Sequence, residues 1–312
     1  MTLPALKKTF YSNGKLFLIG EYTVIDGSDA FALPTNYGQY LDIEENDNPI
    51  IEWKSYDANG DLWFHTSLSF ESIYENRKTG DGITDTLTDI LHRANVLNPD
   101  LLNRTKGFKA TTRLTFSRNW GLGSSSTLIN NIAQWFQIDA YTLLQQSFGG
   151  SGYDIACAQH DTPIIYNMGL GKPTVKAITF TPPFLDKLYF VYLNQKQNTR
   201  SSVLSYREKV NEIPLLIKEV NNIIEEAQSA TDFDHFCNLL NRHSALMSKA
   251  LQLETVKDSL FPDFNGTVKS LGAWGGDFVL VATNENPEAY FKSKGFETII
   301  PYREMILNQN ND

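Results

Sequence analysis

The sequence has few cysteines, few histidines and no excess of positive charge. Its 312 residues include two cysteines, Cys157 and Cys237, and five histidines. Two cysteines cannot build the disulfide framework of a small secreted protein, and neither cysteine lies in a spacing typical of metal ligands. We therefore expect two reduced thiols in a cytosolic protein.

Long apolar runs and basic clusters are also missing. No segment reaches membrane-spanning length, and no apolar stretch of a signal peptide follows the first lysines, so we expect a cytoplasmic protein. The formal net charge of −9 argues against nucleic acid or an anionic membrane as a partner, because both require a dense basic surface. A small anionic ligand stays possible, since a few local cations and backbone amides can bind it. A monomer and a homodimer both remain open.

The composition is that of a globular protein with mixed secondary structure. Hydrophobic residues make up 41% of the chain and charged residues 20%, which suits one large domain or two lobes with a sizeable core. Alternating or β-rich stretches predict strands, and helical spacing of apolar residues predicts helices. The predicted strands include 15–25, 39–45, 49–55, 61–68, 107–116 and 186–194. The predicted helices include 81–97, 126–136, 202–229 with a break or bend at Pro214, and 232–251. Glycine and proline cluster at Met168–Pro173, which predicts a boundary between lobes 1–170 and 171–312.

The stretch "GLGSSS" leads into a predicted helix. Glycines let the backbone approach a ligand closely, and the free amides at a helix start favour a bound phosphate. The same residues are equally typical of a serine that caps the helix after a glycine turn. The lysine of a Walker A loop is missing, and Ser126 stands where the dinucleotide pattern has its third glycine.

Two charged residues interrupt the apolar stretch "KLFLIGEYTVI". Charges in a core-like strand are costly unless they are paired or solvated. Lys15 and Glu21 could form an ion pair at a strand end, or Lys15 could point into a cleft.

Two further glycine-rich stretches follow. Asp154 comes after the turn "GGSG", where it could cap a short helix or serve as a base that orients an acceptor oxygen. The stretch "GAWGG" precedes a buried strand, which indicates a tight loop or a backbone that approaches a ligand. Trp274 in this loop must be packed or stacked on something.

In their order and spacing these four stretches resemble the GHMP kinases, the family of galactokinase, homoserine kinase, mevalonate kinase and phosphomevalonate kinase. The resemblance extends from about Gly14 to about Thr283, and "GKLFLIGEY", "GSGYD" and "GAWGGDF" resemble the forms found in phosphomevalonate kinases. It implies an α+β fold of two lobes. The N-terminal lobe would resemble ribosomal protein S5 domain 2, and the C-terminal lobe would be a ferredoxin-like α/β sandwich. ATP, Mg²⁺ and a small-molecule acceptor would meet between them.

The resemblance also implies a role for each matched residue. Asp154 would be the catalytic carboxylate, and Lys15 would neutralise charge at the transferred phosphoryl group. The ATP phosphates would be held by Gly121, Leu122, Gly123, Ser124, Ser125 and Ser126, with Ser125 contacting Mg²⁺. The implied acceptor contacts are Lys15, Glu21, Ser151, Gly152, Lys196, Arg200, Ser201, Gly272, Gly275 and Gly276. The segment that holds Lys196, Thr199, Arg200 and Ser201 also suits a solvated charged loop.

One departure bears on the metal. Gln146 stands where mevalonate kinases place a glutamate ligand, so Mg²⁺ would rely on phosphates and water. The leading function is an ATP-dependent kinase that phosphorylates phosphomevalonate in the mevalonate pathway to isoprenoid precursors. The alternatives are a mevalonate kinase or another sugar or alcohol kinase of the family, and a non-catalytic nucleotide-binding protein of the same fold.

Overall fold

The computed structural model describes residues 7–103, 106–169, 171–195, 206 and 212–307. The contacts group them into two compact units. The first unit contains the described residues up to Gly14, together with Tyr37–Arg118 and Leu122–Gln159. The second contains Lys15–Asn36, Asn119–Gly121 and the described residues from His160 onward.

Neither unit is one continuous stretch of chain. Strand β1 (Lys7–Ile19) and strand β2 (Asp29–Asn46) each contribute residues to both units. The predicted lobes 1–170 and 171–312 divide the chain at a single point in the sequence, whereas each unit combines several segments of the chain that contact one another. The boundary at Met168–Pro173 stays a prediction.

The sheet of the first unit is mixed. Beside β2 it contains β3 (Ile50–Tyr56), β4 (Leu62–Ser69) and β5 (Gly107–Leu114). Strand β5 runs antiparallel to β2 and parallel to β3, and β3 runs antiparallel to β4. Burial alternates along β3, as expected for a strand with one face on the core.

Six helices of the first unit pack around one apolar core. They are α1 (Phe70–Tyr74), α2 (Gly82–Leu97), α3 (Asp100–Asn103), α4 (Ser124–Phe136), α5 (Ala140–Ser147) and α6 (Tyr153–Ala158). Asp81 caps α2 by accepting from the Thr84 amide, and this confirms the predicted helix start. The core is formed by apolar residues of β2, β3 and β5 together with those of α2, α4 and α5.

The second unit contains two groups of antiparallel strands. The first residues of β2 pair with β6 (Ile164–Asn167), which pairs with β7 (Thr174–Ala177). A separate sheet has the order β11-β8-β10-β9. Its strands are β8 (Leu188–Tyr192), β9 (Thr267–Ser270), β10 (Phe278–Ala282) and β11 (Ile299–Pro301).

In its described residues the second unit contains the helices α7 (Ile213–Gln228), α8 (Phe233–Leu251), α9 (Val256–Leu260), α10 (Glu288–Ser293) and α11 (Tyr302–Met305). Apolar residues of β8, β9 and β10 pack with α9 and α10 into a core. None of the helices in the described part of the chain has the length and hydrophobicity that a membrane span requires.

A mixed sheet and a second, antiparallel sheet, both accompanied by helices, confirm the predicted α+β class. The structure differs from the sequence predictions in several elements. The strand 15–25 ends at Ile19, and a 3₁₀ turn occupies Thr23–Asp26. Pro214 lies in the first turn of α7, where its missing N–H costs nothing; most of 202–211 lies outside the described residues. Strand β9 was not predicted, although it forms a hairpin with β10.

Candidate active site

The predicted phosphate loop ends in a glycine-capped helix. Gly123 is the N-cap residue of α4, with φ 91° and ψ 40°, so the cap residue has no side chain that could accept a hydrogen bond from the first turn. The predicted serine cap is therefore wrong, because all three serines lie inside the helix. A left-handed conformation at this position favours glycine. The uncapped amides leave the positive end of the helix dipole available to an anion.

The three serines differ in exposure. Ser126 is buried and donates to the Gly123 carbonyl over 3.3 Å. Ser124 is half-buried, and Ser125 is exposed. Ser125 therefore offers the most accessible hydroxyl of the loop, which suits its predicted contact with Mg²⁺.

A buried polar network ties α4 to its neighbours within the first unit. The Ser12 hydroxyl donates to Asn131 Oδ1 over 2.7 Å, and Asn130 Nδ2 donates to Ser12 Oγ over 2.8 Å. Gln159 Nε2 donates to Asn130 Oδ1 over 2.9 Å. Because Gln159 is the C-cap residue of α6, the network connects the helix of the phosphate loop to the helix that carries Asp154. The sequence analysis missed these residues, although two adjacent asparagines on the buried side of an apolar helix were a signal.

Asp154 lies in the first turn of α6 and is half-buried. Its predicted role as helix cap is wrong, because Gly152 is the N-cap residue. The turn before it is anchored by Gln145, whose amide nitrogen donates to the Gly150 carbonyl over 2.8 Å. Asp154 therefore remains a candidate for chemistry. Gln146 is exposed on α5.

Residues Asn119–Gly121 belong to the second unit, where they pack on the sheet. The Tyr192 hydroxyl donates to the Asn119 carbonyl over 3.1 Å, and the Trp120 ring meets Phe278 edge to face at 5.6 Å. Trp120 thus anchors the start of the phosphate loop to β10. Gly121 has φ 65°, and a Cβ added there would lie 2.1 Å from Asp277 Oδ2.

Gly121→Ala is expected to destabilise the protein by about 1–2 kcal/mol, because the left-handed conformation is unfavourable with a Cβ and the Asp277 carboxylate must move. Urea unfolding measures the loss. Gly82→Ala is the matched control, since its Cβ would meet nothing within 4 Å at the start of α2. Equal stability of the two variants would contradict the close packing of Asp277 on Gly121.

The stretch around Glu21 forms a buried ionic cluster. Glu21 is 3% exposed, and its Oε1 accepts from Lys269 Nζ over 2.6 Å. Its ion pair is therefore with a residue of β9 and not with Lys15, which lies half-buried on β1. His243 Nε2 lies 3.6 Å from Glu21 Oε2 and 3.5 Å from the Gly20 amide, which donates to it.

Burial governs ionisation in this cluster. It raises the pKa of Glu21, and the adjacent Lys269 ammonium opposes that shift. Burial also lowers the pKa of Lys269, against the attraction of Glu21. The pKa of His243 falls well below its ordinary value, first through burial and then through the charge of Lys269. His243 is therefore neutral near neutral pH, and Lys269 supplies the positive charge beside Glu21.

The glycine-rich loop between β9 and β10 is held by several hydrogen bonds. The Trp274 amide donates to the Tyr22 hydroxyl over 2.7 Å, and Trp274 Nε1 donates to the Glu254 carbonyl over 2.9 Å. The Gly275 amide donates to Ser270 Oγ, and the Gly276 amide to the Ala273 carbonyl. Among the described residues, the amides of Gly272 and Ala273 have no acceptor. Those two amides are therefore the ones that a ligand can use.

The remaining predicted residues divide into two groups. Ser151 and Gly152 lie in the turn before α6. Lys196, Thr199, Arg200 and Ser201 lie outside the described residues.

Within the described ranges, no group of three or more His, Cys, Asp or Glu could hold a metal ion. The oxygen donors that suit Mg²⁺ are the exposed hydroxyl of Ser125 and single carboxylates. Both cysteines are free thiols.

Solved structures resemble this architecture over nearly the whole chain. The Methanococcus jannaschii mevalonate kinase superimposes with a TM-score of 0.71 at 18% identity, over 94% of this chain and 96% of its own. Lactococcus lactis galactokinase in complex with galactose superimposes with a TM-score of 0.68 at 14% identity, over 96% of this chain and 93% of its own. Streptococcus pneumoniae phosphomevalonate kinase in complex with phosphomevalonate and AMPPNP superimposes with a TM-score of 0.67 at 14% identity, over 92% of this chain and 95% of its own. The chain has the GHMP kinase fold. No protein-family model matches it, and neither does a curated protein.

The GHMP kinase fold brings predicted residues together within each unit. In the first unit, the helix after the phosphate loop is tied to the helix of Asp154. In the second, the turn of Glu21 and Tyr22 meets the glycine-rich loop. Lys269 and His243 were missed. A lysine in the otherwise apolar and small-residue stretch "TVKSLGA" was a signal for Lys269, whereas His243 on α8 gave none.

Proposed function

We propose that the protein is an ATP-dependent kinase of the GHMP type that phosphorylates a small molecule, with phosphomevalonate as the leading acceptor. The observation that carries this proposal is the glycine-capped start of α4, where the cap residue has no side chain to occupy the first-turn amides. The similarity of fold to kinases along nearly the whole chain supports it.

The phosphates of ATP would lie against the loop Gly121–Ser126. Its amides would bind phosphate oxygens, with the dipole of α4 adding a positive field. Ser125 would contact Mg²⁺, which supplies charge neutralisation between phosphate oxygens. Lys15 would neutralise charge that develops on the transferred group.

The role of Asp154 depends on the acceptor. An alcohol must lose its proton during transfer, so Asp154 would act as general base. The oxygen of a phosphomonoester is already largely ionised, because its second pKa is about 6. Asp154 would then act through the orientation of the acceptor and through the electrostatics of Lys15.

The choice of phosphomevalonate rests on motif form. "GEY" at Gly20–Tyr22 and "GSGYD" ending at Asp154 resemble the phosphomevalonate kinase versions. Solved structures of the same fold include kinases of mevalonate, galactose and phosphomevalonate. A mevalonate kinase or another sugar or alcohol kinase is therefore the alternative. We place the protein in the cytoplasm, as a monomer or homodimer without nucleic-acid or membrane partners.

A coupled assay of ADP release tests the acceptor. Phosphomevalonate, mevalonate, homoserine and galactose are each supplied with ATP and Mg²⁺. Turnover is expected with phosphomevalonate, with a kcat/KM at least about tenfold above the others, a difference of about 1.4 kcal/mol in transition-state binding. Preference for mevalonate or galactose would support the alternative acceptor class, and no turnover with any of them would remove the specific claim.

The second candidate is a nucleotide-binding protein without catalysis, which the exposed Gln146 in place of an acidic ligand favours. Thermal unfolding with ATP and Mg²⁺ separates the possibilities. A ligand at a hundred times its Kd stabilises by about 2.7 kcal/mol. Stabilisation without turnover supports this candidate, whereas its absence contradicts both candidates.

A further inference from the structure

Two contacts connect the turn Gly20–Tyr22 to the glycine-rich loop and to the strand before it within the second unit. Lys269 Nζ pairs with Glu21 Oε1 at 2.6 Å, and it also donates to the Ser270 carbonyl at 2.9 Å. The Tyr22 hydroxyl accepts the Trp274 amide at 2.7 Å. The turn is thereby attached both to the strand that enters the loop and to the middle of the loop.

The turn itself is held in an unusual conformation. Tyr22 has φ 67°, which is uncommon for a residue with a bulky side chain and persists only where the surroundings enforce it. Its ring stacks on Tyr206, with centroids 5.6 Å apart. On the other side of the turn, the Gly20 amide donates to His243 Nε2.

The ion pair at the base of this arrangement is costly. The side chains of Glu21 and Lys269 are 3% and 1% exposed, and a buried ion pair is on average no more stabilising than apolar residues of the same size. Its directional contacts nevertheless hold both partners in a single geometry. That geometry determines where the Tyr22 hydroxyl lies, and therefore where the Trp274 amide is held.

We propose that Glu21, Lys269 and Tyr22 are positioning residues that hold the glycine-rich loop so that the Gly272 and Ala273 amides face the acceptor. This inference rests on the proposed kinase function. Glu21 accordingly acts through Lys269 and the loop, in place of the direct acceptor contact that the sequence analysis expects. The amides of Trp274, Gly275 and Gly276 are already used, by the Tyr22 hydroxyl, Ser270 Oγ and the Ala273 carbonyl, which leaves the two preceding amides for the ligand.

Tyr22→Phe tests the proposal because it removes one hydroxyl and retains the ring. Hydrogen exchange of peptides that cover 271–277 is expected to accelerate about fivefold, as the loss of one hydrogen bond predicts. The KM for the acceptor is expected to rise by a similar factor while kcat changes little, because a less populated binding geometry weakens ground state and transition state alike.

Tyr302→Phe is the matched control. Tyr302 is a buried tyrosine of the same unit, and its hydroxyl has no hydrogen-bond partner among the described residues. Exchange in 271–277 and the acceptor KM are expected to stay at the wild-type values in this variant. A Tyr22→Phe protein with unchanged exchange would overturn the inference, as would faster exchange with an unchanged KM. Absence of turnover in the wild type would refute the proposed function, and the exchange measurement would still test whether Tyr22 holds the loop.

Discussion

Asp154→Asn is expected to reduce kcat by about a hundredfold to ten-thousandfold, the range that a positioned general base contributes. The size of the loss reports on the acceptor. An alcohol acceptor requires proton removal and predicts the upper end. A phosphate acceptor, whose oxygen is already ionised, predicts the lower end. Steady-state kinetics with the preferred acceptor provides the measurement.

The fold of this variant is expected to remain intact, because Asp154 is half-buried and does not cap α6. Thermal unfolding checks this point. Asp61→Asn, at an exposed position in the first unit, is the matched control and should retain wild-type kcat. A near-normal rate for Asp154→Asn would remove Asp154 from the mechanism, and the same result for Lys15→Met would remove Lys15.

Lys269→Met is expected to destabilise the protein by about 3–5 kcal/mol, because it leaves the Glu21 carboxylate buried without its cation. In the wild-type protein, burial holds the pKa of His243 well below its ordinary value, so Lys269 is the cation that this variant removes. Urea unfolding at neutral pH measures the effect. Protonation of the unpaired Glu21 would relieve part of the loss.

Two further variants serve as controls for Lys269→Met. The double variant Lys269→Met with Glu21→Gln removes both charges and is expected to recover much of the lost stability, since no uncompensated charge remains. Lys106→Met breaks the ion pair between Lys106 and Asp47, whose side chains are 75% and 90% exposed. This variant should lose no more than about 1 kcal/mol of stability. A loss from Lys269→Met as small as that from Lys106→Met would show that Glu21 and Lys269 do not form a desolvated pair.

Several elements follow from local sequence. Alternation in "PIIEWKS" predicted β3, because one face of that strand packs on the core. Helical spacing of apolar residues predicted α2. The order and spacing of the four motif stretches predicted the fold through their resemblance to the GHMP kinases.

Other features depended on partners that are distant in the chain. "KLFLIGEYTVI" has a continuous strand-like composition, yet the strand ends at Ile19 because the next residues turn towards β9. Whether a serine or a glycine caps α4 stayed open, because both residues favour that position and only the backbone conformation distinguishes them. The packing of Trp120 on Phe278 had no local signal, because the two residues are far apart in the chain.

The sequence was thus sufficient for the α+β class and for most helices and strands, because each of these elements depends on periodicity or on turn chemistry within about twenty residues. The candidate phosphate loop came from the resemblance to the GHMP kinases and stays a prediction. The residues that surround Glu21 could not be predicted from the sequence. Glu21 and Lys269 are 248 positions apart, and no local pattern can select one lysine among many as the partner of a buried carboxylate. That pairing exists because folding places β9 against the turn after β1 and removes water from both charges.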